Sequence, residues 1–522
     1  MNRRFSTLLA PLWSWAILLI LWAPFVQLGA RALAFALRNP ALWREVESGR
    51  GVWLGTFELC LFTAILSTIL GVPLGFCLAR GPKALRLLGA ILGALPLGVP
   101  PVILAAPFVA ASGKTQFPLL FSTLTLSMSF YPLVALSCAL AVSSLPRGEE
   151  EAALLLVSPL RAWFGVLGRR IFPAILGGAG AVGALCAWEM GAPDLLSQPS
   201  FGMSVYRALN SPEILQPGES AARAALGSLG VPFVALLFLI PAARALQTWT
   251  RNSPGDASNP ASSGAPRGFF TSDSTMPFAG FGALVLLISP GFIVWKLLTS
   301  LESWDSTKNV VVANDDALSN TLFTATFSAI FLSFAALFSL WLWRDWPRKW
   351  RALAFGAALL PGLFAPVLVG VALVEFWNRA VFGALYDSSL GMVIMGHFVR
   401  FFPLSVALLW VPFSKLNPDW KAGAQNLGAS PLHTWWSIEI PILRGAIAGV
   451  AAILWSLCAG ELSTSVLVHG PGGDTLAIPI FGLLHAGLAA DVAALCLLLM
   501  LLCGGAMALA LVFLGRKTRE SS

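Results

Sequence analysis

The chain has 522 residues, 57% of them hydrophobic and only 11% charged, with a mean hydropathy of +0.78. Soluble domains carry about a quarter charged residues, so this composition excludes a soluble globular protein and describes an all-α integral membrane protein. The net charge of +8 would suggest a nucleic-acid partner in a soluble chain; here basic loops account for it and none is expected.

In chain order, Arg3 and Arg4 lead into a full-length apolar run with no small-residue cleavage site, which predicts a retained first segment. A bilayer core takes about 20 apolar residues per helix. On that measure about twelve spans are expected, near 7–29, 53–79, 86–111, 118–143, 173–191, 222–246, 277–299, 318–343, 352–377, 389–413, 446–468 and 487–514. With both termini cytoplasmic, Arg80, Lys83, Arg86, Arg147, Arg161, Arg169, Arg170, Arg344, Arg348, Lys349, Arg351, Lys415, Lys421, Arg444, Arg516, Lys517 and Arg519 all fall on the inner side. The outer loop 30–52 breaks this pattern with Arg31, Arg38, Arg44 and Arg50. Between the sixth and seventh spans, "RNSPGDASNPASSGAPRG" (251–268) has little to bury and predicts a flexible linker.

The linker separates two halves that repeat each other. "LCAWE" (185–189) returns as "LCAGE" (457–461), and 457 − 185 = 272. Ser158-Pro159 returns as Ser430-Pro431 at the same offset, and "FYPLV" (130–134) as "FFPLS" (401–405) at 401 − 130 = 271. "GTFELCLFTAILS" (55–67) resembles "NTLFTATFSAIFLS" (320–333) at 320 − 55 = 265. Similar words in one order at drifting offsets indicate a duplication with loop insertions. Six spans per copy, an even number, gives both copies the same orientation, so parallel repeats about an axis along the membrane normal are expected.

Each half carries a long loop between its fourth and fifth spans: "EEEAALLLVSPLRAWFGVLGRRIFPAI" (149–175) and "KAGAQNLGASPLHTWWSIEIPILRGAI" (421–447). These loops resemble the EAA motif of binding-protein-dependent ABC importer permeases. The first copy supplies Glu150, Ala152, Ser158, Pro159 and Pro173, with Leu156 where glycine is expected. The second supplies Ala424, Gly428, Ala429, Ser430, Pro431 and Pro441, with Ala422 where the glutamate is expected. "HFVRFFPLSVALLW" and "GELSTSVLVHGPGGDTLAIPIFGLLHAG" look like the fused ferric iron and thiamine branch of that family.

The resemblance implies the type I importer fold, two partner ATPase subunits seated on the loops, a periplasmic solute-binding protein, and a multi-pass position in a bacterial inner membrane. It divides the chain into a first transmembrane helix with its outer loop (1–50), a first permease domain (51–247) and a cytoplasmic linker (248–275). A seventh helix with its outer loop (276–316), a second permease domain (317–515) and a cytoplasmic tail (516–522) follow. The expected solute is ferric iron, with thiamine, phosphonate or polyamine-like solutes as alternatives within the family.

An ATP-binding loop of the form G-x-x-x-x-G-K-[ST] is missing: Gly113-Lys114-Thr115 comes nearest, but Phe108 holds the first glycine position. ATP is therefore expected to be used by the partner subunits, with no cofactor bound by this chain. No nucleophile–base pair suggests catalysis, and the four histidines (397, 433, 469 and 485) lack metal-ligand spacing. The seven cysteines all fall in apolar stretches and read as small buried hydrophobes. An ion-coupled secondary transporter or channel is the rival from another class.

Ionisable residues inside a membrane are functional hypotheses by default. Glu189 and Glu461, expected near the outer ends of the fifth and eleventh spans, read either as an acidic vestibule for a cation or as anchors for helix ends. His397 and Arg400 in the tenth span have no ionisable counterpart in the first half; they read either as a gating or solute-anion contact in the pathway or as an arginine reaching toward a carboxylate, with Glu375 and Glu58 as candidate partners.

Overall fold

A computed structural model describes residues 2–39, 50–81, 99–112, 117–143, 168–209, 219–252, 297–386, 390–486 and 489–520, apart from 229, 302 and 415, with a few isolated positions between them. Most of the loop 149–167, the linker from 253 onward, most of the seventh span and the first part of the third lie outside the described residues. Among those described, nine helices are long and apolar enough to cross a membrane: the protein is an all-α, multi-pass membrane protein.

Within the first half the long helices are α1 (Asn2–Arg38), α2 (Arg50–Arg80), α3 (Pro101–Ser112), α4 (Pro118–Ser143) and α5 (Gly168–Trp188). A short helix α6 (Gly191–Leu195) follows, then α7 (Phe201–Leu209), α8 (Glu219–Ser228) and α9 (Gly230–Asn252). In the second half come α10 (Trp304–Ala313), α11 (Asp315–Trp343), α12 (Arg348–Leu359), α13 (Pro366–Trp377) and α14 (Gly391–Ser414). The loop helices α15 (Pro418–Asn426) and α16 (Pro431–Thr434) lead into α17 (Ile440–Ala459), α18 (Ser465–Val468), α19 (Ala477–Ala486) and α20 (Ala489–Glu520).

The same pairwise packing recurs in both halves. In the first, α2, α4 and α5 pack on one another and α9 packs on α5; in the second, α11, α14 and α17 pack on one another and α20 packs on α17. Without a hydrophobic driving force between helices in lipid, close backbone approach has to supply the packing. Gly71 and Gly75 supply it between α2 and α4: a Cβ on either would lie 2.6 Å from the Tyr131 or Ala135 carbonyl oxygen. The first helix packs on α8 of its own half and also joins it to the second. Trp13 Nε1 donates to Ser339 Oγ at 3.0 Å, Trp22 Nε1 to the Ala357 carbonyl at 2.9 Å, and Arg31 pairs with Glu375.

Three expected spans are not continuous helices. The ninth, expected over 352–377, is broken: the segment Arg348–Leu363 meets Pro366–Trp377 at 103°. Pro366 is the cause, because it pushes Ala365 out of the helical region (φ −60°, ψ 139°) and lacks the N–H that would continue the ladder. The fifth and eleventh spans, expected to run through Glu189 and Glu461, stop at Trp188 and Ala459, and a short helix follows each break. Both glutamates therefore stand just past a helix C-terminus rather than within a span.

Candidate functional site: an inner docking loop and a charged seam

The loop between α14 and α17 is built by capping chemistry. Asn417 Oδ1 accepts from the Asp419 amide at 2.9 Å and Pro418 occupies the first helical position, which starts α15. The helix ends where the Ala429 amide donates to the Ala424 carbonyl and the Gly428 amide to that of Gln425, both at 3.0 Å. This double closure requires a left-handed residue, and Gly428 adopts φ +85°. Ser430 Oγ then accepts from the His433 amide at 3.2 Å, with Pro431 opening α16. A single π turn, Trp435–Glu439, carries the chain into α17, and Pro441 stands in its first turn. Each residue of Gly428-Ala429-Ser430-Pro431 thus has a backbone role in a helix–turn–helix knob.

The knob presents apolar side chains outward: Trp420, Leu432 and Trp436 are exposed, and Leu427 is 90% exposed. Its base is tied down. Lys421 Nζ reaches Asp345 at 2.7 Å, Arg344 Nη1 reaches Glu439 at 2.6 Å, and Trp435 is buried beside Trp341, Phe338 and Phe334. In the first loop, Glu150, Ala152, Ser158 and Pro159 lie outside the described residues, and Pro173 sits inside α5.

The four intramembrane ionisable residues singled out in the sequence come together. Arg400 on α14 pairs with Glu461, whose side chain is 1% exposed, and Glu461 Oε1 also accepts from the Thr464 amide at 2.6 Å. Glu189 accepts from the Gly191 amide at 3.2 Å and lies within electrostatic reach of both Arg400 and Glu461. His397, one turn before Arg400, is buried with Nδ1 3.0 Å from Ser328 Oγ.

The partners expected for Arg400 are the wrong ones. Glu375 pairs with Arg31, which also accounts for one arginine of the anomalous outer loop, and Glu58 is exposed on α2. A carboxylate past a helix C-terminus meets the negative end of the dipole, so each glutamate turns to the free amides of the next short helix, and Glu461 takes the guanidinium as well.

This group marks where the halves meet. Gly460 packs on Pro100, Gly191 lies against both Val102 and Leu462, and Trp188 Nε1 donates to the Leu363 carbonyl at 3.2 Å. Further along the same seam, His485 Nε2 meets Asp194 Oδ2 at 3.0 Å. One sequence signal marks this region. "LPLGVPP" (95–101) and "LPGLFAP" (360–366) share their proline spacing at 366 − 101 = 265, the offset of the preceding span pair, and so mark the seam segments. The Arg344–Glu439 pair has no such signal, since neither residue recurs in the other half.

The described residues form a multi-pass, all-α membrane protein whose helix packing recurs in both halves. Comparison with known proteins adds the kind. No family model matches the chain. It is similar over 407 residues, 74% of this chain and 75% of the relative, to a Haemophilus influenzae protein named Fe(3+)-transport system permease protein FbpB 2, at 21% identity. Over 153 residues, 29% of this chain, it is 29% identical to a Salmonella typhimurium protein named as the 2-aminoethylphosphonate transport system permease PhnV, of whose length the match spans only 56%. Over 95 residues, 18% of this chain and 17% of the relative, it is 30% identical to the thiamine transport system permease protein ThiP of Brucella abortus. All three are permeases, and they support the resemblance of this chain to binding-protein-dependent ABC importer permeases.

Proposed function

We propose that this chain is the membrane-spanning permease of an ATP-driven importer, forming the pathway for ferric iron delivered by a periplasmic binding protein. The observation that carries this reading is the capped knob of 418–434, an exposed apolar feature on a rigid base, shaped for docking rather than for lipid. ATPase subunits, one on each loop, hydrolyse the ATP, and the chain itself binds no cofactor. The protein lies in a bacterial inner membrane with both termini cytoplasmic.

Glu189, Glu461, His397 and Arg400 form the polar part of the pathway. Two carboxylates facing one guanidinium leave a formal negative charge at the seam between the halves, which favours a cation. The relative that covers most of the chain, named for Fe(3+), supports iron. The Salmonella relatives favour a second reading: an aminophosphonate carries both an amine for the carboxylates and an anion for Arg400. Uptake of radiolabelled ferric iron and of 2-aminoethylphosphonate, with and without this chain, separates the two.

The test of the class is charge reversal at Glu150 combined with Gly428→Trp. Uptake that survives both changes and resists ATP depletion would identify an ion-coupled transporter instead.

A further inference from the structure

One helix touches every working part of the second half. At its inner end, α11 is followed directly by the partly buried Arg344, which pairs with the buried Glu439 in the π turn below the docking knob. Arg344 is fixed from two further directions, over the Trp341 ring at 5.7 Å and by Arg351 Nη1 donating to its carbonyl at 3.2 Å. In mid-span, Ser328 of α11 bonds His397. At the outer end, Asn320 donates to the carbonyls of Gly472 and Asp474 at 2.9 and 3.1 Å, and Thr321 Oγ1 accepts from the Leu476 amide at 2.8 Å. From Asn320 to Arg344 the helix spans about 36 Å at 1.5 Å per residue, enough to cross the bilayer core.

We propose that Arg344 and Glu439 are positioning residues that transmit displacement of the docking loop into α11, and through it to the charged seam and the outer loop 470–476. The inference rests on the ATPase-docking reading above. A buried ion pair suits this task because its partners separate only at the cost of leaving a charge unpaired, so the loop and the span move together. The exposed Lys421–Asp345 pair is screened by solvent and constrains far less. In the first half, the position matching Glu439 is Leu167 (439 − 272 = 167), so the linkage belongs to one half only.

The test uses the native complex, purified through a tag on this chain, with Ser319→Cys as a reporter beside Asn320. Ser319 is exposed and all seven native cysteines are buried, so a maleimide reads the outer end of α11. ATP with vanadate should change the labelling rate severalfold in the otherwise unaltered complex. Arg344→Gln and Glu439→Gln should each abolish that change while the ATPase stays bound and hydrolyses ATP. The charge swap Arg344→Glu with Glu439→Arg should restore it, which a merely local loss of stability would not allow.

An ATP-dependent labelling change that persists in both single variants overturns the linkage. So does a swap that assembles but fails to restore it. A chain that holds no ATPase without any of these substitutions overturns the docking reading itself, a result distinguishable from either.

Discussion

The two halves place a glutamate at the same point of the repeat, yet treat it differently. Glu461 is sealed in, held by Arg400 and the Thr464 amide, whereas Glu189 keeps partial exposure and accepts from the Gly191 amide. The residue matching Arg400 in the first half is Ser129 (400 − 271 = 129), which donates back to its own helix at the Thr125 carbonyl. Likewise the glycine that closes the docking helix in the second half is replaced by Leu156 in the first. The backbone frame is shared, but the charges and the turn chemistry have diverged. The charges and the turn residues are therefore unequal between the halves: Glu461 is paired with Arg400, and Gly428 is matched by Leu156.

Substitutions can break that contrast. Arg400→Gln should have the largest effect, about 3–5 kcal/mol of stability, because it strands the buried Glu461 carboxylate; thermal unfolding in detergent measures it. Ser129→Ala at the matching position should cost no more than about 1 kcal/mol in the same assay. Gly428→Val forces a β-branched residue into a left-handed conformation and should cost roughly 1–3 kcal/mol locally. Nothing lies within 4 Å of a Cβ there, so the loss comes from the backbone and not from a clash. It should appear as loss of bound ATPase with the spans intact.

Glu189→Gln should cost about 1 kcal/mol or less in stability, since the amide oxygen can still accept from Gly191, yet it should reduce uptake. Paired with Glu461→Gln, uptake should fall further while the chain still assembles with its ATPase. Normal uptake in the double variant would remove both carboxylates from the pathway.

The smallest expected effect is a pH dependence at the seam between Asp194 and His485. His485 lies outside the candidate spans, and its hydrogen bond to Asp194 raises its pKa above the ordinary histidine value despite partial burial. A raised folded value means the contact's contribution is fully present below about 6.5 and is lost as pH rises through the folded pKa. Unfolding followed against pH should show this slope, and His485→Gln should flatten it.

Much of this is legible in the sequence. The duplicated words located the repeat because they recur in order, and Gly428-Ala429-Ser430-Pro431 announced a helix stop and restart because each residue has one backbone use. Composition located the spans but could not reveal their breaks. A count of apolar residues does not register that Ala365 precedes a proline, or that a helix ends at Ala459 within an apolar run. The partner of Arg400 was illegible for a different reason: choosing Glu461 over Glu375 or Glu58 depends on which helix faces turn inward, and nearly all-apolar helices carry little periodicity to show it. The burial of Glu439 against Arg344 is tertiary in the same sense.

The most direct test is ATP hydrolysis by the protein purified in mild detergent from its own membrane. A permease of the proposed kind should bring with it an ATPase whose hydrolysis and retention are lost on Gly428→Val while the chain stays folded. A well-folded chain that carries no ATPase, or one that retains it equally well with Gly428→Val and with charge reversal at Glu150, would contradict the importer reading.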